Sequence, residues 1–281
     1  MSEPQPQQSY ARCWDEIASD RAEAYRLVDE SQSEEALAAH GKTQAKYVVE
    51  GLRIGPGDVV LDLGCGVGRI GKEVAPRAGK WVGVDVSANM VALARERMHG
   101  LPNVEVRVVS GADLAPIPTA SIDKIYCHAV FIHMDKEDFY SYLVEARRVL
   151  KPGGLFYFDV WNLCHEVGWL RWQYERALYA TRAERPIHRN QFSTPDEVRM
   201  MVRMAGLELL SLIETFSLHA VCTHVPPDTD RTAFLEQLRR ATGEAYRSIH
   251  YGEGDLRFFG GKLVEGLRAR GHEPERPPPG R

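Results

Sequence analysis

Val59-Val60-Leu61-Asp62-Leu63-Gly64-Cys65-Gly66-Val67-Gly68-Arg69-Ile70-Gly71 is an apolar, branched run that stops abruptly in alternating glycines. Coming after Pro56-Gly57-Asp58, the run reads as a buried parallel strand, and the residues behind the glycines resume a helical pattern. A glycine-rich turn from strand to helix lets a ligand approach the backbone, because no side chain stands in the way. Asp62 is the odd residue, a carboxylate inside an apolar strand. Burying it is costly unless it is hydrogen-bonded or close to the strand mouth. The stretch therefore predicts a cofactor site.

Working outward, strands are expected at 58–63, 80–85, 104–109, 122–128 and 154–160, with helices at about 68–77, 87–98 and 136–149 between them. Strands separated by helices imply a parallel sheet with right-handed crossovers, which binds ligands beyond the carboxyl ends of its strands. Ahead of the sheet, helical spacing runs from Ser9 to Asp29, and a second helix from near Ser31 to Leu52 is expected to break at Gly41. After the fifth strand the rhythm stops, and residues 161–192 are rich in aromatics and arginines, with Trp161, Trp169 and Trp172 among the five tryptophans. Ser193-Thr194-Pro195-Asp196-Glu197 reads as a helix start. Strand-like runs follow at 207–214 and 216–224, then two amphipathic helices at about 230–249 and 256–269.

The 281 residues carry a formal charge of −4, which argues against a surface built for nucleic acid. Cys13, Cys65, Cys127, Cys164 and Cys222 are scattered singly, which suits neither a disulfide framework nor a zinc site. Metal is therefore not expected. The N-terminal residues Met1 to Gln8 lack the pattern of a signal peptide, and no apolar run reaches the roughly 18–20 residues that span a bilayer, so a cytoplasmic protein is expected.

Two cofactor frames compete at the glycines. Gly66-Val67-Gly68-Arg69-Ile70-Gly71 matches GxGxxG by letter, which points to a nicotinamide dinucleotide. In that fold, however, the first glycine closes the strand. Here that residue is Gly64, and the third glycine would then fall on Arg69. The other frame is Asp62-x-Gly64-x-Gly66-x-Gly68, with the carboxylate at the strand mouth. It resembles motif I of the class I S-adenosylmethionine-dependent methyltransferases, in which the acid and the glycine backbone hold the methionine end of the cofactor.

Three further signals fit that resemblance. Trp81-Val82-Gly83-Val84-Asp85 is a strand ending in an acid, and a carboxylate can accept both ribose hydroxyls. Ser110-Gly111-Ala112-Asp113-Leu114 is similar to the family's adenine step. The stretch from Ile122 to His133 and the turn Lys151-Pro152-Gly153-Gly154 resemble the family's fourth strand and its approach to the fifth. The resemblance implies a Rossmann-like α/β fold, with a seven-stranded sheet and helices on both faces. N-terminal helices and an aromatic insert after strand five add to it.

In these terms residues 1–8 are a disordered N-terminus and 9–54 an N-terminal helical cap. Residues 55–160 form the cofactor-binding core, 161–192 a substrate lid, and 193–225 the rest of the core. Residues 226–270 form C-terminal helices and 271–281 a disordered tail. The implied cofactor contacts are Asp62, Gly64, Cys65, Gly66, Gly68, Asp85, Val86, Met90, Ala112, Asp113, Leu114 and His128.

Methyl transfer is an in-line displacement, so the protein mainly aligns the acceptor and sometimes takes its proton. His128 and His133 are the candidate bases, and Asp159 ranks next with Trp161 and His165. The loop Cys127-His128-Ala129-Val130 lacks the Asn/Asp-Pro-Pro-aromatic pattern of enzymes that methylate nucleic-acid amino groups. Tyr10, Trp14, Phe131, Trp161 and His165 are expected to line a pocket for an apolar or aromatic small molecule. Oxygen is the expected acceptor, with nitrogen or carbon next. The rivals are an RNA or protein methyltransferase, a cofactor-binding protein without methyl transfer, and a nicotinamide enzyme. The aromatic insert leaves a homodimer contact open as well.

Overall fold

The computed structural model describes residues 6–246 and 253–275. Three helices come first: α1 (Pro6–Ile17), α2 (Arg21–Asp29) and α3 (Glu34–Leu52). The alternating core follows as β1 (Val59–Leu63), α4 (Gly71–Val74), β2 (Lys80–Asp85), α5 (Ala88–Arg97), β3 (Val104–Val108), β4 (Ile122–Cys127), α6 (Lys136–Val149) and β5 (Leu150–Asn162). Then come α7 (Glu166–Leu178), β6 (Phe192–Ser193), α8 (Pro195–Met204), β7 (Glu208–Glu214), β8 (Ser217–Thr223), α9 (Arg231–Tyr246) and α10 (Glu253–Arg268).

Seven strands run in the order β3-β2-β1-β4-β5-β8-β7, parallel except for the two antiparallel pairings of β8. The order reverses between β1 and β4, which is where an open α/β sheet leaves its ligand crevice. β5 outruns β4: its last paired residue against β4 is Phe158, and beyond it the two-residue β6 pairs with Trp161 and Asn162. Inner residues of alternating parity line the two faces. Leu61, Val82, Ile125, Phe156 and Phe158 pack with Phe139 and Leu143 of α6 and Val198 of α8. Val60, Trp81, Tyr126 and Tyr157 pack with Val48 and Leu52 of α3, Val74 of α4 and Val91 of α5. Among the described residues no helix is long and apolar enough to cross a membrane.

Several local expectations change. The stretch from Ser9 to Asp29 is two helices, because Asp20 caps α2 by accepting from the Ala22 and Glu23 amides. α1 begins at Pro6, ahead of the expected Ser9. α3 starts at the cap Ser33 and runs unbroken through Gly41. Gly41 serves close packing: a Cβ there would stand 2.5 Å from the carbonyl oxygen of Arg69. A full helix, α7, occupies the insert that had no legible rhythm. The C-terminal segment is held at Glu275, whose carbonyl accepts from Trp169 Nε1 at 3.0 Å and Gln173 Nε2 at 2.8 Å. The expected end of the helix at 230–249, and residues 1–5 and 276–281 of the expected tails, lie outside the described residues.

Candidate cofactor and active site

The glycine loop is built from left-handed backbone. Gly64, Gly66 and Gly68 have φ of +75°, +51° and +76°, a region that penalises any side chain. The amides of Gly64 and Cys65 both donate to the Val84 carbonyl, which pins the loop to the end of β2. Gly71, which completed the dinucleotide lettering, instead makes room for a neighbour: a Cβ there would stand 2.3 Å from the Trp81 ring.

Asp62 is 4% exposed. Its Oδ2 accepts from Tyr126 Oη at 2.7 Å, and Tyr126 Oη accepts from Trp81 Nε1 at 2.8 Å. Strand register makes this chain, since Asp62 lies opposite both Gly83 and Tyr126. Burial raises the Asp62 carboxyl to about 7, against the pull of Tyr126 and Arg69 and with a push from Asp85. At the end of β2, Asp85 accepts from the Gly66 amide at 2.8 Å and the Ser87 amide at 2.9 Å. Burial pushes its carboxyl up as well. Two carboxylate oxygens have about four acceptor positions, so the backbone amides leave room for a further donor. Ser87, not Asp85, caps α5.

A second group stands at the mouths of β4, β5 and β8. His128 Nδ1 lies 3.4 Å from Asp159 Oδ1, which also accepts from the Ala129 amide at 2.7 Å. Ala129 is held at φ +58° to make that turn. Burial works to raise the Asp159 carboxyl, but His128, His219 and the Ala129 amide overcome it and hold it at about 2. Tyr157 stacks between His128 and His219, with Tyr157 Oη 3.0 Å from His219 Nδ1. His219 is 2% exposed, and burial lowers it to about 4.

Residues 60–154 match the family model described as "Methyltransferase domain". The methyltransferase GfsG of Streptomyces halstedii is 36% identical over 134 residues, covering 46% of this chain and 47% of that protein. A ubiquinone biosynthesis O-methyltransferase of Xanthomonas oryzae pv. oryzae is 31% identical over 142 residues, covering 50% of this chain and 57% of that protein. Both matches span about half the length of the relative. Geranyl diphosphate C-methyltransferase from Streptomyces coelicolor A3(2), solved with Mg2+, geranyl diphosphate and S-adenosyl-L-homocysteine, shares the fold. Its TM-score is 0.55 at 17% identity, covering 94% of this chain and 96% of that one. Residues 60–154 thus carry a methyltransferase domain, on the fold of the class I S-adenosylmethionine-dependent enzymes.

S-adenosylmethionine is the cofactor of that family, and the residues present suit it. The methyltransferase domain offers a loop free of side chains, an acid at each of two neighbouring strand ends, and a buried guanidinium, Arg69, whose Nη1 has no hydrogen-bond partner. Cys65 is buried in the loop, with its thiol pushed well up by burial. Met90 is buried beneath α1 and α2 with Val67, and Val86 is half-buried beside the core. Ala112 is exposed and Asp113 half-buried, its Oδ1 accepting from the Ala115 amide at 3.0 Å. The Leu114 amide, expected to face the adenine, instead donates to Glu145 Oε2 at 2.9 Å, in a network that Arg148 completes.

The expected pocket residues divide. Trp14 meets His133 edge-on at 5.2 Å between centroids and His188 at 6.4 Å. Trp161 Nε1 donates to Asn190 Oδ1 at 3.2 Å, so both tryptophans converge on segment 188–190. His133 Nδ1 donates to the His188 carbonyl at 2.7 Å, which leaves Nε2 without a proton in the neutral ring. Burial lowers His133 to about 4. Tyr10 is a docking residue: its Oη accepts from the Asp135 amide at 3.0 Å. Phe131 is not at a pocket. The turn after β4 rotates it into the core, 1% exposed, against Phe139 and Phe158. His165 caps α7, with Nδ1 accepting from the Val167 amide.

Other residues of this region escaped the sequence reading. Asp15 of α1 accepts from Ser87 Oγ at 2.6 Å and the Asn89 amide at 3.0 Å, closing α1 over the start of α5. His188 had no local signal. His219 had one, a histidine between apolar neighbours in a buried strand.

Proposed function

We propose that the chain is a methyltransferase that methylates an oxygen of an aromatic or secondary-metabolite-like small molecule, with His128 as general base. The observation that carries this reading is the pairing of His128 with Asp159 at the mouths of β4 and β5. Bound S-adenosylmethionine supplies a methyl group on a positively charged sulfur. Asp62, Asp85 and the glycine backbone bind and orient the cofactor, and Asp113 takes the adenine amino group. His128 receives the acceptor hydroxyl proton on Nε2 while Asp159, ionised at neutral pH, faces Nδ1 and stabilises the cation that forms. The 3.4 Å separation is long for a hydrogen bond, which suits a pair that tightens when the acceptor arrives. His133 is a weaker base because burial holds it near 4; it forms a pocket wall with Trp14.

The arginines of the insert support a small molecule over RNA, because several are engaged within the fold. Arg171 lies over Trp161 and beside Glu175, Arg189 pairs with Asp135, and Arg176 and Arg182 lie over Trp172 and Tyr179. The relative named as an O-methyltransferase supports oxygen. The test is S-adenosylhomocysteine release from S-adenosylmethionine across hydroxylated aromatic acceptors, amines and RNA. Release driven by RNA alone would overturn the small-molecule reading, and release by amines alone would move the acceptor to nitrogen.

A further inference from the structure

Arg69 stands where the glycine loop turns towards α4, and its side chain is turned inward, 7% exposed. A buried guanidinium is expensive unless it is paired and its donors are satisfied. Here the pairing is loose. Asp29 Oδ1 lies 3.4 Å from Nη1, and Nη2 reaches the Val28 carbonyl at 3.4 Å. Nη1 is buried with no hydrogen-bond partner.

Asp29 does not depend on Arg69. Its Oδ2 already accepts from Ser31 Oγ at 2.8 Å and pairs with His40 Nδ1 at 2.6 Å, and Gln44 Nε2 reaches Oδ1 at 3.5 Å. The acid is anchored to the α2–α3 junction whether or not the arginine is there. The arginine, in contrast, has a donor to spare. Asp62 of β1 and Asp159 of β5 both act on its charge. Its backbone is closely packed, because α3 brings Gly41 against its carbonyl oxygen.

A planar, buried, under-satisfied guanidinium beside a ligand loop is suited to a carboxylate, which it can meet with two parallel hydrogen bonds. S-adenosylmethionine ends in an α-carboxylate. We propose that Arg69 receives the carboxylate of the cofactor's amino-acid arm, with Asp29 holding the guanidinium in position until the cofactor arrives. The assignment rests on the placement of the cofactor at the glycine loop. It also ties the N-terminal helices to cofactor loading through one side chain.

The test is a binding cycle read by calorimetry, with no turnover involved. The probes are S-adenosylhomocysteine and its decarboxylated analogue S-adenosyl-3-thiopropylamine, on the wild type and on Arg69→Gln. The wild type is expected to prefer the carboxylate-bearing ligand by about 10–100-fold, the range of a charge-assisted bidentate contact. Arg69→Gln is expected to reduce that preference to within about 3-fold, with the analogue bound almost as before. A preference that survives in Arg69→Gln, or a wild type indifferent to the carboxylate, overturns the assignment. Should Arg69→Gln fail to fold, Arg69→Lys keeps the cation and loses the fork; an intermediate preference supports the assignment and an unchanged one overturns it. A wild type that binds neither ligand sinks the cofactor site itself, a result distinct from failure of Arg69 alone.

Discussion

Replacing Asp62 by Asn removes a charge that β1 buries while keeping an oxygen for Tyr126 to donate to. In the folded protein burial holds the Asp62 carboxyl near 7, against 3.8 for an ordinary aspartate. The folded state therefore keeps a proton that the unfolded chain gives up, and stability falls as pH climbs from 3.8 towards 7. That interval is about three pH units at about 1.4 kcal/mol each, so the full penalty is about 4 kcal/mol. About 2.5–3 kcal/mol of it accrues between about pH 5 and pH 8.5. Asp62→Asn has no such titration. In urea unfolding of the cofactor-free protein, the variant should gain on the wild type by about that amount across the interval. The same variant should bind S-adenosylhomocysteine about 10–100-fold more weakly, since the amide cannot pair with the cationic end of the cofactor. A difference between variant and wild type that stays flat with pH would show that Asp62 is ionised throughout and refute the reasoning.

Asp85→Ala should weaken S-adenosylhomocysteine binding by about 1–3 kcal/mol in calorimetry, and unchanged affinity would remove Asp85 from the ribose site. His128→Ala should leave cofactor affinity within a few fold while slowing turnover about 10²–10⁴-fold, and His133→Ala should slow it less; the reverse ranking would transfer the base to His133. His219 is lowered to about 4 by burial, so the unfolded chain takes up a proton below about 6.5 that the folded one refuses. Stability is full above that pH and lost as pH falls towards 4; His219→Gln should flatten this part of the acid-unfolding curve, and an unchanged slope would count against it. Gly64→Ala combines a φ of +75° with a Cβ 2.4 Å from Val130 Cγ2, and should lower stability by about 2–4 kcal/mol in denaturant titration.

The order of the core was legible because β1 and β2 are short branched runs closed by a glycine and an acid, each with a helical interval behind it. The frame at Asp62, Gly64, Gly66 and Gly68 is likewise local. What could not be read is whatever joins distant segments. Asp15 and Ser87 are 72 positions apart, and Tyr126 reaches Asp62 across 64. Neither leaves a trace in spacing, because each partner obeys only its own element's pattern. α7 was hidden for another reason: Trp169, Trp172, Tyr174 and Arg171 blur the polar–apolar periodicity on which recognition of a helix depends. Phe131 and His165 were misjudged because a turn's direction, not its neighbourhood in sequence, decides whether a side chain enters a pocket, a core or a cap.

The loops after β1 and β4 touch so closely at Gly64 and Val130 that there is no room for one more carbon between them. Val130 immediately follows the His128-Ala129 turn, so one valine joins the cofactor loop to the turn that bears the proposed base. Attempts to retarget the protein by mutagenesis therefore meet two kinds of ground. Position 130 admits a larger side chain only together with movement of the glycine backbone opposite, and libraries of larger residues built there should return mostly unfolded or cofactor-blind clones. Exposed positions of the α7 segment and the loop after it are the better ground, away from Gly168, whose missing Cβ would stand 1.8 Å from the Asn162 carbonyl oxygen, and diversity introduced there should alter acceptor choice while the cofactor loop stays intact.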